Sequence, residues 1–313
     1  GGEGVMLNGK SLLAAEIVEF FSSERPYLAA KMFCQRLCAQ PRMPEGPVYG
    51  GNDWYSAYGN NSSALILEHS RMIADWAGDN AVRPYMVVDD GWEICHSGLP
   101  GYNGGPWGMS NRNFPEGMAS LADKMKKIGV RPGLWFRPLL NAGKVPASWK
   151  LQRPDGERYL DPSVDGVLEL VSEDMKRFSD WGFELVKHDY STYDIFGCWG
   201  MNMGSELTCD GWHFSREDLT TAQVIKQFYQ ALRDAGKGLT IIGCNTVGHL
   251  AAGIFDIQRC GDDTSGRKWE VTRKMGPNTL AFRMPQHETF FAVDGDCVGL
   301  TRNVPWEKNR QWL

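Results

Sequence analysis

Four apolar runs in this chain close on aspartate: Met86-Val87-Val88-Asp89-Asp90, Leu185-Val186-Lys187-His188-Asp189, Ile257-Gln258-Arg259-Cys260-Gly261-Asp262-Asp263 and Phe291-Ala292-Val293-Asp294-Gly295-Asp296. Each follows a helix-like stretch, so each is predicted to be a strand of a β/α repeat. In a closed barrel of such repeats the strand carboxyl ends share one face, and their aspartates meet in one pocket. Charge is costly to gather in a pocket unless it is paired or put to use. The pattern points to an enzyme that works with carboxylates.

The rest of the chain supports the repeat. Strands are predicted at 48–54, 84–89, 131–137, 183–189, 239–244, 255–260 and 290–294. Amphipathic helices separate the earlier ones: Leu65 to Trp76, Met118 to Ile128 with Gly129 as the stop, Val171 to Phe178 ending at Gly182, and Val224 to Leu232 capped by Thr220. The expected fold class is α/β, a (β/α)8 TIM barrel of which seven units are visible. Residues 306–313 read as the start of a seventh helix, and the eighth strand is expected beyond the chain end. Residues 46–313 are assigned to the barrel. Asn8-Gly9 within Val5 to Leu13 is a hairpin signal, and a lone hairpin is not stable. Residues 1–23 are therefore expected to end a preceding β-domain. Residues 24–45 are expected to form a linker helix with Ser22-Ser23 as cap and Pro26 in its first turn.

A length of 313 residues suits a barrel with extra pieces, and 42% hydrophobic residues are enough for its core. The net charge of −5 and the lack of any Lys/Arg run argue against a nucleic-acid partner. No apolar stretch approaches the ~18 residues of a membrane span. The eight cysteines hold no Cys-x-x-Cys pair. Cys34 and Cys38 lie one helical turn apart and read as packing, whereas Cys198 and Cys209 share one loop and can join. The six histidines show no metal-ligand spacing. Two long connections, 94–113 with Tyr102 and Trp107, and 190–219 with Tyr190, Tyr193, Trp199 and Trp212, leave strand carboxyl ends, where long loops shape substrate sites. Aromatic faces stack on sugar rings, although any single one of the 12 Trp is more often core.

Lys187 and Asp189 are two apart on a strand, so both side chains point the same way. A neighbouring ammonium favours the ionised carboxylate and suits a nucleophile; a structural ion pair is the plainer reading. Arg259 and Asp263 form a second group, in which a carboxyl in a less polar spot protonates a leaving group. Adjacent Asp262 is a rival for that role. Asp89-Asp90 can accept sugar hydroxyls or hold a divalent metal, and Asp-Asp-Gly is also ordinary turn chemistry. Trp54 and Tyr55 end the first strand as an apolar wall, Cys244 ends the fifth, and Asp294 and Asp296 support the site from the seventh. His188 points away from the barrel centre and is read as packing.

In this order the residues resemble glycoside hydrolase family 36, the melibiase-like α-galactosidases. The resemblance covers roughly residues 25 to 313. It rests on Trp54-Tyr55, Val88-Asp89-Asp90-Gly91-Trp92-Glu93, Asn113-Phe114-Pro115 through Gly129 to Pro132-Gly133-Leu134-Trp135, Lys187-His188-Asp189, Ile242-Gly243-Cys244, Arg259-Cys260-Gly261-Asp262-Asp263-Thr264 and Asp294-Gly295-Asp296-Cys297. It implies a β-sandwich, a central barrel and a C-terminal β-domain. It implies Asp189 as nucleophile and Asp263 as acid/base. Asp89 and Asp90 then hold the galactose O4 and O6 hydroxyls, and Trp54, Lys187, Cys244 and Arg259 line the same subsite. The 190–219 loop and the extra carboxylate of Asp262 depart from the family pattern on the leaving-group side.

The expected activity is that of a retaining exo-α-galactosidase. No cofactor is required, and the partner is an oligosaccharide or glycoconjugate with terminal galactose. A homo-oligomer is compatible with this reading. An α-N-acetylgalactosaminidase, a β-L-arabinopyranosidase and a raffinose-synthase-type transglycosylase share the chemistry. From other classes stand a metal-dependent barrel lyase or isomerase, with Mg²⁺ on Asp89, Asp189 and Asp263 and Lys187 as base, and a catalytically silent sugar-binding protein.

Overall fold

A computed structural model of the chain describes residues 4–99, 104–154, 159–204, 207, 208, 210–275 and 279–297. Its elements are, in order, α1 (Pro26–Leu37), β1 (Gly50–Asn52), α2 (Trp54–Ala57), α3 (Ser63–Ala77), β2 (Tyr85–Val88), α4 (Gly117–Ile128), β3 (Arg131–Phe136) and α5 (Asp165–Asp180). They continue with β4 (Leu185–His188), α6 (Ser191–Phe196), α7 (Thr221–Ala235), β5 (Thr240–Gly243), β6 (Ile257–Arg259), α8 (Trp269–Arg273), α9 (Thr279–Arg283) and β7 (Ala292–Asp294). All seven predicted strands occur, each shorter than its apolar run. The contacts divide the chain into two compact units, residues 1–14 with 44–246 and residues 15–43 with 247–313.

The larger unit carries β1 to β5, every neighbouring pair parallel and in chain order. Parallel strands are covered on both faces and therefore read as unbroken apolar runs; all four residues of β2 are buried. Trp135 pairs with Lys187, and Lys187 with Ile242. Residues in register share a face, so Trp135, Lys187 and Ile242 lie on one side while Phe136 and His188 lie on the other, toward the helices. Phe136 meets Phe178 of α5 edge-on at 5.0 Å, and His188 meets Phe228 and Tyr229 of α7 at 5.6 Å each. His188 thus packs against a helix. Gly133 matters for close approach, since a Cβ there would lie 2.8 Å from a Val87 methyl.

The helices start and stop largely where their signals stand. Ser62 caps α3, and Thr220 with Gln223 forms a capping box on α7. Gly129 ends α4 in the left-handed conformation. At the start of the chain the Asn8-Gly9 turn forms, with φ of 48° and 78° and a Lys10 N–H to Leu7 C=O bond of 2.9 Å. Its arms pair with nothing as strands among the described residues, and Met6 N–H instead donates to Glu217 C=O at 2.8 Å. Trp54-Tyr55 does not end β1: the strand stops at Asn52 and Trp54 opens the single turn α2. A short apolar-aromatic run does not separate strand from helix by itself.

In the smaller unit β6 and β7 pair parallel, Arg259 beside Asp294. Helix α1 (Pro26–Leu37) is shorter than the expected 24–45 and its N-cap is Arg25, not Ser22-Ser23; the Ser22 hydroxyl accepts from Glu24 N–H at 3.1 Å. Lys31–Glu288 at 2.9 Å ties α1 to its unit, and Arg42–Asp256 at 2.8 Å ties down the segment that follows it. The predicted helix at 306–313, Tyr102 and Cys209 lie outside the described residues.

Candidate active site

The carboxyl end of β2 is built on buried polar contacts. Asp89 is buried, and its Oδ2 accepts from Asn52 Nδ2 at 2.6 Å and from Lys187 Nζ at 2.7 Å. Its N–H donates to Asp53 Oδ1 at 2.7 Å. Asp90 N–H in turn donates to Asp89 Oδ1 at 2.9 Å. Asn61 braces the corner from below, donating to Asp53 Oδ2 at 2.8 Å and to the Asp89 carbonyl at 3.1 Å. Gly91 sits there with φ +130° because a side chain would run into the Asn61 amide. Burial, reinforced by the Asp89 charge, pushes the Asp53 carboxyl up to about 7.

Asp189 follows β4 and is also buried. Its Oδ1 accepts from Asn245 Nδ2 and from Tyr190 N–H, both at 2.7 Å, and its Oδ2 from Trp135 Nε1 at 3.0 Å. Three N–H donors on two oxygens fix the orientation of the carboxylate and compensate its burial. The expected Lys187–Asp189 pairing is replaced by a Lys187–Asp89 ion pair at 2.7 Å. The reason is register: parallel alignment through β3 carries the lysine toward the β2 end, while Asp189 lies past the last residue of β4. Tyr190 and Asn245 hold left-handed φ values of 67° and 49°, a strain of roughly 1–3 kcal/mol each. Each flanks the carboxylate it donates to. Cys244 is buried beside them, its N–H donating to His188 C=O at 2.7 Å. Burial lowers His188 to about 3.

A buried Arg137–Asp194 pair at 2.6 Å anchors the turn after Asp189. The Tyr190 ring lies 4.1 Å from the Arg137 guanidinium. Burial raises Asp194 to about 6 against the pull of Arg137. Most loop aromatics serve the core: Trp107 is buried and donates to Leu140 C=O at 3.1 Å, and Trp212 stacks on Phe196 at 6.0 Å. Trp199 packs on Tyr190 and Tyr193 at 5.1 Å each. Trp54 is half-buried, 5.4 Å from the Tyr58 ring.

In the smaller unit Arg259 Nη2 contacts Asp263 Oδ1 at 3.2 Å and Asp296 Oδ2 at 3.1 Å. Thr264 N–H donates to Asp296 Oδ2 at 2.6 Å, and Asp296 N–H to Asp294 Oδ1 at 2.9 Å. Asp263, rather than Asp262, takes the arginine. The less polar spot expected for Asp263 is not what surrounds it, because its side chain is 53% exposed. An ion-paired carboxylate at a loop tip keeps its water. Among the described residues no three His, Cys, Asp or Glu side chains converge as a metal site would require.

Asn52, Asp53, Asn61, Asn245 and Asp194 were not singled out in the sequence, and Trp135 was read only as the end of the third-strand motif. Asn245, one residue after Cys244 at a strand end, carried a positional signal.

No family model matches the chain. The α-galactosidase mel1 of Schizosaccharomyces pombe is 24% identical over 143 residues, 46% of this chain and 28% of that protein. The chain thus matches less than a third of that relative's length. TtGalA, an α-galactosidase from Thermus thermophilus solved with p-nitrophenyl α-D-galactopyranoside, superposes with a TM-score of 0.69 at 19% identity, over 92% of this chain and 59% of that one. The family 36 α-galactosidase AgaA from Geobacillus stearothermophilus gives 0.61 at 14% identity, over 90% and 40%. Sequence relative and solved structures point the same way: the chain is similar in sequence to α-galactosidases and shares the fold of the partial (β/α) barrel seen in their structures.

Proposed function

We propose that the full-length protein is a retaining exo-glycosidase that removes terminal α-D-galactose. The observation that carries the reading is the Asp189 carboxylate, held by Trp135, Asn245 and Tyr190 N–H donors at the end of β4. In this mechanism Asp189 attacks C1 while Asp263 gives its proton to the glycosidic oxygen, and the aglycone leaves as an alcohol. The galactosyl ester on Asp189 is then opened by water, whose proton passes to Asp263. Retention needs the two carboxyl groups about 5–5.5 Å apart. Arg259 beside Asp263 favours its ionised form, the form that takes the proton of water in the second step. Asp89 and Asp90 accept the O4 and O6 hydroxyls, and Trp54, Lys187, Cys244 and Arg259 complete the subsite. Asp262 serves the leaving-group side. The N-terminal residues 1–23 belong to a β-sandwich in this reading. Support comes also from TtGalA, which is described in complex with stachyose as well as with the nitrophenyl galactoside.

The test is a panel of nitrophenyl glycosides on full-length protein, with the first-formed anomer followed by NMR. Release of α-galactose before its β-anomer is expected, with Asp189→Ala inactive. Inverted product rejects the ester, and turnover of only the N-acetylgalactosaminide or the arabinopyranoside rejects galactose as the glycone.

A further inference from the structure

Glu93 lies three residues past Asp90 and is fully buried, at 0% exposure. Its carboxyl is hydrogen-bonded to that of Asp90. Two carboxylates cannot share such a contact when both are ionised, so one of them holds a proton. The remaining donors decide which. Asp90 Oδ1 accepts from Ser97 N–H at 3.1 Å, and the Ser97 hydroxyl also bonds to its carboxyl. Glu93 has only backbone donors, its own N–H and that of Gly91 at 3.2 Å on Oε2, while its Oε1 lies buried with no geometrically sound donor among the described residues. The orphaned Oε1 and the complete burial of Glu93 put the proton on it, while Asp90 keeps the Ser97 N–H and hydroxyl that an anion needs.

The surroundings do not neutralise Glu93 in any other way. The charge that acts on Glu93 is that of Asp90, which itself faces Asp89, and the Lys187 ammonium is bonded to Asp89. The segment packed alongside presents Ser110 and Asn111, both neutral. Asn111 Nδ2 donates to the carbonyls of Gly91 and Glu93 at 2.7 and 3.0 Å, so the corner cannot swing Glu93 outward. Burial and the Asp90 charge together push the Glu93 carboxyl well above its ordinary range; burial raises Asp90 as well, and the hydrogen bonds from Glu93 and Ser97 oppose that rise.

We infer that Glu93 is a positioning residue: it stays neutral, donates its proton in a hydrogen bond to Asp90, and thereby holds Asp90 as an ionised, fixed acceptor for a sugar hydroxyl. Its effect on glycone affinity rests on the galactosidase reading above; its protonation does not. Asp90, with Ser97 on one side and Glu93 on the other, retains lone pairs for substrate only in the orientation these two impose.

The test uses full-length protein labelled with ¹³C at the glutamate carboxyl carbon, which leaves the aspartates silent. One resonance is expected to keep the shift of a neutral acid at pH about 7, and Glu93→Gln is expected to remove it. A Glu93 signal at the carboxylate position overturns the inference. With nitrophenyl α-galactoside, Glu93→Gln keeps an N–H donor toward Asp90 and is expected to stay within about threefold of the parent KM. Glu93→Met, of similar volume and without a donor, is expected to raise KM about tenfold or more with a smaller change in kcat, the loss of roughly 1.5–3 kcal/mol for a hydrogen bond to a charged group. Equal KM values for the Gln and Met variants, each shown folded by circular dichroism, reject the positioning role. A protein that hydrolyses no galactoside rejects the galactosidase reading alone, since the labelled carboxyl still reports the proton.

Discussion

The Asp189 carboxylate has its partners at three chain distances: Tyr190 next to it, Trp135 on β3 and Asn245 after β5. Trp135→Phe keeps the ring in the core and removes one donor. A hydrogen bond to a charged group is worth about 1.5–3 kcal/mol, so kcat for galactoside hydrolysis is expected to fall roughly 10- to 150-fold, read by steady-state kinetics with the fold checked by near-UV circular dichroism. An unchanged kcat removes Trp135 from the mechanism. Asp53 makes a different kind of test. Its folded pKa of about 7 lies above the ordinary 3.8, so the folded state binds its proton more tightly. Its contribution to stability is therefore complete below about pH 4 and is lost as pH rises through about 7. Asp53→Asn keeps the Oδ1 acceptor for Asp89 N–H and titrates nowhere. Urea unfolding across pH 4 to 8 is expected to show a shallower decline in the variant than in the parent. Neither role was legible in the sequence. The spacing put Lys187 with Asp189 because side-chain alternation along one strand is visible there, whereas the cross-strand register that gives the lysine to Asp89 is not.

At the scale of elements the reading reached further. Strands buried on both faces read as apolar runs, so β2 to β5 stood out, and with them came the Asp that follows β2 and β4 and the Cys that follows β5. Trp54-Tyr55 failed because a three-residue strand and a one-turn helix leave the same short signature. The 190–219 connection was read as a loop that shapes a substrate site, and its base is α6, clamped by Arg137 and Asp194. Removing one member of a buried pair strands the other and costs about 3–5 kcal/mol, whereas replacing both by apolar groups of similar size is often neutral. Asp194→Leu alone is expected to lower stability by that amount and to reduce kcat by loosening Tyr190. Arg137→Met with Asp194→Leu is expected to recover most of the stability. Thermal unfolding and kinetics on the two variants separate the clamp from its charge; a double variant no better than the single shows that the ion pair itself holds α6.

For the molecule as a whole, several buried groups act on one pH axis with opposite signs. Asp53 at about 7, Asp174 and Asp194 at about 6, and Glu93, raised well above its ordinary range, all bind protons more tightly folded than unfolded. Each stabilises below its unfolded value near 4 and loses that contribution as pH rises through its folded value. His188 at about 3 is the reverse: it stabilises above about 6.5 and loses that contribution as pH falls toward 3. Exposed carboxylates paired with cations, such as Glu116 with Lys124 and Asp218 with Arg216, lie below their ordinary values and act only at the acid end. Between pH 5 and 8 the raised carboxyls outnumber the two histidines that burial lowers, His188 and His249. Net proton release on unfolding is therefore expected in that range, with a higher melting temperature near pH 5.5 than near pH 8. Calorimetry of the full-length protein in buffers of differing ionisation enthalpy reads both the temperature and the proton count. His188→Leu, which keeps the edge contact with Phe228 and Tyr229 apolar, is expected to move the optimum further toward acid. A parent whose stability climbs steadily from pH 5.5 to 8 contradicts the buried, neutral state of these carboxyls, and with it the bracing of Asp89 and Asp90 from behind.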